Sequence, residues 1–430
     1  MAKAKLGWHD LADVRVALML ALGFSAGLPF LMIFGTLSVR LREAGVPVTT
    51  IGLFSWLALA YSLKFVWSPI VDAWDVPVLA RLVGRRRAWM MVCQLAIVLG
   101  LIGAGMSDPV TSLATTAAFT LLVAFGSATQ DVVIDGWRID AAPLEKQGIM
   151  AAAYQLGYRL ALLAAGAGAL YIAQFVDWRT AYSAMAACMA VGFGAAVFSP
   201  IVDRAPGTDA PEKKRFSFAA AVREPLVDLY ARTGRALVLI LLLVALYRLP
   251  DFVAGVMANP LYVDLGYTKV QIATVAKLYG VWIGIVGAFV GGYLVGKIGL
   301  FRTMLIGVVA SAISHLLFAW LATQAGAPIE ALVIAISCDN FAGSFCGTAL
   351  IAYMSGLTGA GFSATQYALL SSLYALPGKL VGGVSGFMVV AWGYPAFFAM
   401  TSAIAIPVVA LLIAVRRSPA GGLQPRVEAQ

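Results

Sequence analysis

Long apolar runs alternate with short polar connections along almost the whole chain. A run of 18 or more mostly apolar residues is typical of a helix that crosses the bilayer, because about 20 residues rising 1.5 Å each span the roughly 30 Å hydrocarbon layer. About twelve such runs can be drawn, which predicts an all-α membrane protein with twelve transmembrane helices in two six-helix halves. The predicted helices cover residues 15–40, 50–74, 88–106, 110–137, 147–173, 179–199, 236–263, 269–296, 301–322, 330–356, 362–390 and 393–415.

The composition agrees with a membrane protein. Hydrophobic residues make up 61% of the 430 residues and charged residues only 12%, well below the soluble mean of about a quarter. The first run is too long for a signal peptide and is predicted to remain as helix 1, where Gly23 and Gly27 have the spacing that lets a neighbouring helix approach closely. The four cysteines fall inside predicted helices, where small packing residues are expected, and no cofactor or metal-binding spacing is visible.

A polar segment at residues 200–235 divides the chain into an amino-terminal half, 1–199, and a carboxy-terminal half, 236–430. The segment contains a basic run and apolar positions spaced as in a short helix that lies on anionic lipid. It is therefore predicted to be a cytoplasmic linker between the two halves.

The two halves are weakly similar to each other. Tyr154 and Arg159 of predicted helix 5 correspond to Tyr374 and Lys379 of predicted helix 11, at a constant offset of about 220 residues. Such pseudo-symmetry is typical of a transporter built from two related halves, with its substrate between them.

The net charge of +9 follows the predicted topology rather than indicating a nucleic-acid partner. Most of the 30 Lys and Arg residues fall in segments on the side of the amino terminus. This is the bias that marks cytoplasmic segments, so both termini are predicted to be cytoplasmic.

The end of predicted helix 4 carries two carboxylates, Asp131 and Asp135, on one helical face. Ionisable groups at membrane depth cost about 2.5–3.5 kcal/mol each and tend to mark a functional site. Asp131 is the first candidate for proton coupling, although a structural pair with Arg159 or Lys64 is the alternative. Asp339 and Asp251 are the next candidates, and Asp251 can also pair with Arg248, three residues before it.

Asp135 lies near the predicted cytoplasmic face, where it can pair with Arg138 or with the basic residues 85–87. We expect these charges to form a latch that holds one conformation closed.

Three cations in different predicted helices, Lys64, Arg159 and Lys379, are candidates for an anion-binding cavity. A guanidinium in a membrane requires a carboxylate, water or an anionic ligand, because it does not lose its charge. His315 has no carboxylate within a helical turn and is interpreted as structural.

Motifs for nucleotide or metal chemistry are missing from the sequence, which has neither a P-loop nor an H-E-x-x-H pattern. We therefore expect transport driven by an ion gradient rather than an enzyme. A membrane-embedded transferase is the less favoured class, because the charges scatter over several helices instead of clustering on one leaflet.

Six stretches of the chain resemble the AmpG-type muropeptide permeases of the major facilitator superfamily. They are residues 23–29, 64–69, 84–87, 130–135, 157–160 and 362–371. The resemblance runs from helix 1 to helix 11 in order and so covers nearly the whole chain. Asp72 followed by Arg85, Arg86 and Arg87 resembles the signature of the superfamily between helices 2 and 3, with a longer spacer.

The resemblance implies a monomeric inner-membrane importer, driven by the proton gradient, for anhydro-muropeptides from cell-wall recycling, namely GlcNAc-anhydro-MurNAc and its peptides. Such sugar peptides can also act as signals that induce β-lactamase. A transporter of another bulky anion, such as a siderophore or a CoA ester, remains the alternative. The predicted substrate-binding residues are Tyr61, Lys64, Gln130, Tyr158, Arg159, Gln366 and Lys379.

Overall fold

The computed structural model describes residues 13–68, 71, 74–141, 144–201, 227–324, 326, 328–357 and 363–418. Within these ranges the regular structure is entirely helical. Among the described residues, ten helices are long and apolar enough to cross a membrane. The shorter apolar segment Val48–Leu63 and the helix Ser363–Gly382 complete the twelve segments that correspond to the predicted helices. The predicted all-α membrane fold is thus confirmed. Asp72 and most of the predicted linker lie outside the described residues.

We number these helices in chain order. They are α1 Val14–Glu43, α2 Val48–Leu63, α3 Arg85–Met106, α4 Leu113–Ala141, α5 residues 144–175, α6 Trp178–Phe198, α7 Val227–Asp264, α8 Lys269–Ile298, α9 Leu300–Leu321, α10 Ile329–Leu357, α11 Ser363–Gly382 and α12 Ser385–Arg417.

Several helices are interrupted within their spans. The backbone of α1 leaves helical geometry at Phe34, and Gly393 with φ 75° breaks α12 just before Pro395. Segments of π-helix occur at Ala164–Gly168 in α5 and at Ile272–Tyr279 in α8. Such π segments are frequent at functional sites, because they change the direction of the side chains that follow.

The first compact unit contains Met1–Pro47, Leu57–Thr208 and Thr268–Lys277. Its closest helix contact is between α1 and α5, where a Cβ on Gly157 would lie 1.9 Å from the Leu20 carbonyl oxygen. A Cβ on Gly23 would lie 2.1 Å from the Tyr154 carbonyl oxygen. Only glycine allows this approach, as the spacing in helix 1 predicts.

The second compact unit contains Val48–Trp56, Asp209–Tyr267 and Leu278–Gln430. Its helices α8 and α10 meet by the same device, because a Cβ on Gly287 would lie 2.4 Å from the Phe341 carbonyl oxygen. Helix α9 packs on α10 and α12 in this unit. Each unit therefore holds its own rigid framework of close helix pairs, on which the polar side chains are carried.

Candidate functional site

The first unit contains a partly open acidic site on α4. The Lys64 Nζ lies 3.6 Å from the Asp131 Oδ2, and the Tyr154 hydroxyl donates to the other Asp131 oxygen at 3.4 Å. The side chains of Lys64 and Asp131 are 32% and 15% exposed. Of the two partners considered for Asp131, the structure places Lys64 next to it. The ion pair is long and accessible, so either member can exchange its partner.

A short irregular turn brings Lys64 to Asp131. The α-helical part of α2 ends at Leu63, and residues Lys64–Val66 form a turn of 3₁₀-helix. Directly after it, the Trp67 indole donates to the Thr129 hydroxyl at 3.1 Å, which ties this end of the segment to α4. The lysine is thus held beside α4 by the chain that follows it.

Aromatic and amide side chains surround this site within the first unit. The Tyr61 ring packs against Phe30 and Phe34, with centroids 5.8 and 6.1 Å away. Gln130 is fully buried, and its amide donates to the Ser25 hydroxyl at 3.1 Å. In this conformation Gln130 therefore faces α1, and its role as a substrate contact stays a prediction.

Arg159 lies exposed on α5, on the same helix as Tyr154 and the half-buried Tyr158. Its guanidinium makes no hydrogen bond or ion pair within the part of the chain that the structure describes. A guanidinium in a membrane is expected to pair with a carboxylate, water or an anionic ligand. For Arg159, no described carboxylate is the partner. Its five N–H donors are therefore not satisfied by the described residues.

Lys379 and Gln366 lie in the second unit, both on α11. Lys379 is half-buried next to Gly378, which packs directly on Phe252. Gln366 is only 2% exposed, donates to the Asp228 carboxylate at 2.7 Å and accepts from Arg232 at 3.0 Å. Gln366 thus links α7 to the start of α11, and substrate binding by it is untested.

The predicted latch residues of the first unit lie at the start of α3 and the end of α4. The Arg86 guanidinium lies against Gly136, at 2.6 Å from where a Cβ would be, and Arg87 donates to the Ser199 carbonyl. Arg138 pairs with Asp135 at 3.5 Å on an exposed surface. These contacts join α3, α4 and the end of α6. Arg85 is in the same turn, whereas Asp72 is outside the described residues.

Glu43, Trp178 and Lys269 form a cluster at the other end of the first unit, which the sequence analysis did not predict. Glu43, at the end of α1, accepts from the Lys269 ammonium at 2.5 Å and from the Trp178 indole at 2.6 Å. The ammonium also lies 5.5 Å from the centre of the Trp178 ring. These residues are far apart in sequence and lie at helix ends, where charge is ordinary, so no local pattern singled them out.

The second unit has a more enclosed ionic site between α7 and α9. The Arg248 Nε lies 3.0 Å from the Asp251 Oδ2, as the three-residue spacing predicts, and Arg248 also donates to the Gly343 carbonyl. The other Asp251 oxygen accepts from Ser311 at 2.6 Å and lies 3.3 Å from the His315 Nε2. The histidine that has no carboxylate on its own helix thus has one from α7.

A cavity of about 220 Å³ lies beside this ionic site in the second unit. It is bordered by Arg248, Asp251, Asp339, Asn340 and Phe318. The Asp339 carboxylate makes no hydrogen bond or ion pair to any described residue. Two predicted proton-coupling candidates, Asp251 and Asp339, therefore border one polar cavity, although they lie on different helices.

Nothing in the described ranges groups three or more His, Cys, Asp or Glu side chains in a way that could hold a metal ion. The polar chemistry of both units is instead that of carboxylates, ammonium and guanidinium groups, hydroxyls and one imidazole. These groups can bind anions and exchange protons.

Solved structures with the same fold are transporters. The chain aligns with a D-xylose-proton symporter at a TM-score of 0.67 and 16% identity, covering 95% of this chain and 98% of that one. It aligns with a POT family transporter in complex with a thioalcohol conjugated peptide at a TM-score of 0.67 and 12% identity, covering 93% and 95%. At these identities the likeness shows the fold.

Sequence comparisons give the family. The Major Facilitator Superfamily profile matches residues 16–378. The chain is 38% identical over 407 residues to the putative transporter AmpG 4 of Rickettsia felis, covering 93% of this chain and 96% of that protein. It is 34% identical over 406 residues to the anhydromuropeptide permease of Escherichia coli, covering 94% and 80%. With the twelve-helix fold and its charged sites, these matches show that the chain belongs to the AmpG-type muropeptide permease family of the major facilitator superfamily.

Proposed function

We propose that this protein is a proton-coupled importer of anhydro-muropeptides across the bacterial inner membrane, with both termini in the cytoplasm. The observation that carries the proposal is the partly open Lys64–Asp131 pair, a cation and a carboxylate 3.6 Å apart within a membrane-spanning unit. The identity to an anhydromuropeptide permease over 94% of the chain supports the substrate class. Peptides imported in this way serve cell-wall recycling and signal for β-lactamase induction.

Substrate binding begins with the cations. Anhydro-muropeptides carry carboxylates, and a guanidinium binds a carboxylate through two parallel hydrogen bonds. Arg159 is exposed on α5 and lacks a partner among the described residues, so its donors are available to a ligand. Lys64 supplies a second positive charge, and the nearby Tyr61 and Tyr158 offer aromatic faces to the sugar rings. We assign Lys379 of the second unit the same anion-binding role.

Proton coupling follows from the competition for Lys64. When a substrate carboxylate draws the Lys64 ammonium away, Asp131 loses its cation at 3.6 Å and keeps only the Tyr154 hydroxyl. An unpaired carboxylate in a membrane is unfavourable, so Asp131 then takes up a proton. Release of that proton to the cytoplasm lets Lys64 return to Asp131, which frees the substrate.

The membrane potential makes such coupling necessary. An anion that moves into a negative-inside cell is opposed by about 2.3 kcal/mol per charge for each 100 mV. Each co-transported proton offsets one negative charge of the substrate and adds the free energy of the pH gradient. We assign one of these protons to Asp131.

Access to the site is controlled at both ends of the first unit in this proposal. The Arg85–Arg87 turn, Asp135 and Arg138 form the cytoplasmic latch, in which Asp72 takes part. The Glu43, Trp178 and Lys269 contacts form a corresponding clamp at the outer ends of their helices. Neutralising Arg86 removes charge pairs that form only in the closed state, and thereby shifts the population toward the state open to the cytoplasm.

The test is uptake of labelled GlcNAc-anhydro-MurNAc and its peptides by proteoliposomes, with and without an imposed pH gradient. We expect Asp131→Asn to lose gradient-driven accumulation while it still exchanges labelled for unlabelled substrate, because exchange needs no net proton movement. Asp177→Asn, at an exposed carboxylate that precedes α6 and has no part in the proposed cycle, is the control and should accumulate substrate normally.

Three results would change the proposal. Normal accumulation by Asp131→Asn would move the coupling to Asp339 or Asp251. Uptake of a siderophore or a CoA ester in place of the muropeptide would keep the transporter and replace its substrate. Covalent conversion of the muropeptide by purified protein would make the protein an enzyme.

A further inference from the structure

The second unit holds a titratable group that the proposed function does not use, the imidazole of His315. The ring is fully buried on α9, with its Nε2 3.3 Å from the Asp251 Oδ1. The Nε2 approach to Asp251 is within ion-pair distance but is not a formed hydrogen bond, and Nδ1 also has no hydrogen-bond partner among the described residues. A buried ring nitrogen without a protein partner is uncommon and calls for an explanation, because most buried polar atoms are satisfied.

The charges around the ring do not balance when it is neutral. Arg248 and Asp251 neutralise each other at 3.0 Å. Asp339 borders the same cavity of about 220 Å³ and has neither an ion pair nor a hydrogen bond within the described chain. The cluster of Arg248, Asp251, Asp339 and a neutral His315 therefore carries one net negative charge. A net charge at membrane depth is unfavourable, and one added proton removes it.

Among the described residues, the neighbouring helices bring no other formal charge to the two cavity linings. The described charged or titratable groups that face the ring and its ionic partners are Arg248, Asp251, Tyr247 and Tyr262 on α7, Asp339 and Cys346 on α10, and Tyr374 on α11. Helix α12 borders the ring through Thr401, and α8 brings no charged side chain to either cavity lining.

Imidazole is the side chain whose charge ordinarily changes between about pH 5 and 8. A second cavity, of about 10 Å³, is bordered by His315, Ser311 and Tyr247, and this is the space of a single water. The ring thus has a carboxylate at one nitrogen and room for a proton-carrying water at its border. Both features suit a group that gains and loses a proton.

We infer that His315 is a proton-binding site of the second unit, whose imidazolium is held by Asp251 and balanced in charge by Asp339. This site is separate from Asp131, which lies in the other unit. Proton binding by His315 stands without the proposed transport cycle. Its role in transport, as a site for a second co-transported proton, rests on that cycle.

The chain offers a direct test because it contains only two histidines, His9 and His315. In the full-length His9→Asn variant, labelled with ¹⁵N-histidine and reconstituted in lipid, every imidazole nitrogen signal belongs to His315. We expect the signals to change from the neutral to the doubly protonated form between about pH 8 and about pH 5, without substrate. A ring that keeps one form over this range overturns the proposal.

Asp339→Asn, made in the same labelled background, tests the charge balance. Removing that negative charge should lower the pH at which the ring is half protonated, because the imidazolium loses its compensating anion. An unchanged midpoint would contradict the assignment of Asp339. Neither measurement needs substrate, so failure of the muropeptide proposal leaves their outcome intact.

The role in transport has its own readout, the number of protons taken up per substrate. His315→Asn should lower this number by one relative to His9→Asn, while exchange of labelled for unlabelled substrate continues. An unchanged number would show that His315 takes no part in coupling.

Discussion

The two units carry ionic sites of different construction. In the first, Lys64 and Asp131 are 3.6 Å apart and 32% and 15% exposed, with one weak hydrogen bond from Tyr154. In the second, Arg248 and Asp251 are 3.0 Å apart and 19% and 12% exposed. Further contacts from Ser311 and the Gly343 carbonyl fix that pair. The first pair is thus the looser of the two, and the second is fixed by more contacts.

The choice of cation accounts for much of the difference. A lysine ammonium is a single charge on a flexible stem, so it can turn from one carboxylate to another with little loss. The planar guanidinium of Arg248 donates to a carboxylate through Nε and to a carbonyl through another nitrogen, which fixes its orientation. We therefore expect loss of the arginine to affect the fold and, under the proposed function, loss of the lysine to affect substrate binding.

The largest effect follows for Arg248→Gln. Removing this cation leaves Asp251 buried without its charge partner, which should destabilise the protein by about 3–5 kcal/mol. Lys64→Gln is the comparison variant, and it should lose less stability, because its pair is longer at 3.6 Å, its lysine is 32% exposed, and Asp131 can take up a proton when the cation is absent. Thermal unfolding in detergent measures both.

Pairing can be separated from other roles of the guanidinium with the double variant Arg248→Gln, Asp251→Asn. Neutralising both partners should recover most of the lost stability, because no uncompensated charge remains buried. Equal losses for Arg248→Gln and Lys64→Gln would show that the two sites do not differ in the way described.

A smaller effect, on transport, is expected for Arg159→Gln. Hydrogen bonds to a charged group contribute about 1.5–3 kcal/mol, which corresponds to roughly a 10- to 100-fold weaker apparent affinity for an anionic substrate. Membrane insertion and thermal stability should stay unchanged, because the guanidinium makes no described contact. Arg179→Gln, at the exposed start of α6, is the control. Normal uptake by Arg159→Gln would remove it from the binding site.

Sequence predicted the first site better than the second, for a physical reason. The depth of Asp131 and Lys64 follows from counting residues along their helices, and charge at that depth indicates a site without knowledge of packing. The contact between Asp251 and His315 depends on how α7 and α9 meet, which helical periodicity does not give. His315 was therefore interpreted as structural, and that interpretation is now replaced by a proton-binding proposal.

The fold was predictable to a greater extent than the contacts. The length of the apolar runs predicted the helices, and the spacing of Gly23 and Gly27 predicted that another helix approaches α1 closely. The resemblance to the family placed Gln366 among the substrate contacts, and that assignment stays a prediction. In the structure its amide is occupied by Asp228 and Arg232. Hydrogen-bond partners are set by tertiary packing, so the matching stretch did not predict these two contacts.

The two units should respond alike when a close helix contact is overpacked. Gly157→Ala in the first unit and Gly287→Ala in the second would each place a Cβ against a carbonyl, at 1.9 and 2.4 Å. Each should lose about 1–3 kcal/mol through overpacking. Gly168→Ala and Gly296→Ala, which have open space around them, are the controls and should unfold as the parent does. A loss confined to one unit would mean that the units differ in packing as well as in charge.

The smallest effect concerns a carboxylate outside both sites, which shows how an exposed acid behaves in the same chain. Asp177 precedes α6, and the Thr180 backbone N–H, which donates to it at 2.6 Å, holds the pKa of its carboxyl below the ordinary value of 3.8. The stabilisation is therefore complete above about pH 4 and is lost as the pH falls through the lowered pKa. Asp177→Ala should unfold at a slightly lower temperature than the parent at neutral pH, with the difference shrinking in acid. Asp177→Asn keeps a side-chain oxygen for the same cap and should show little of this pH dependence. Thermal unfolding of the three proteins from neutral to acid pH measures the effect, and a difference that grows in acid would contradict the assignment.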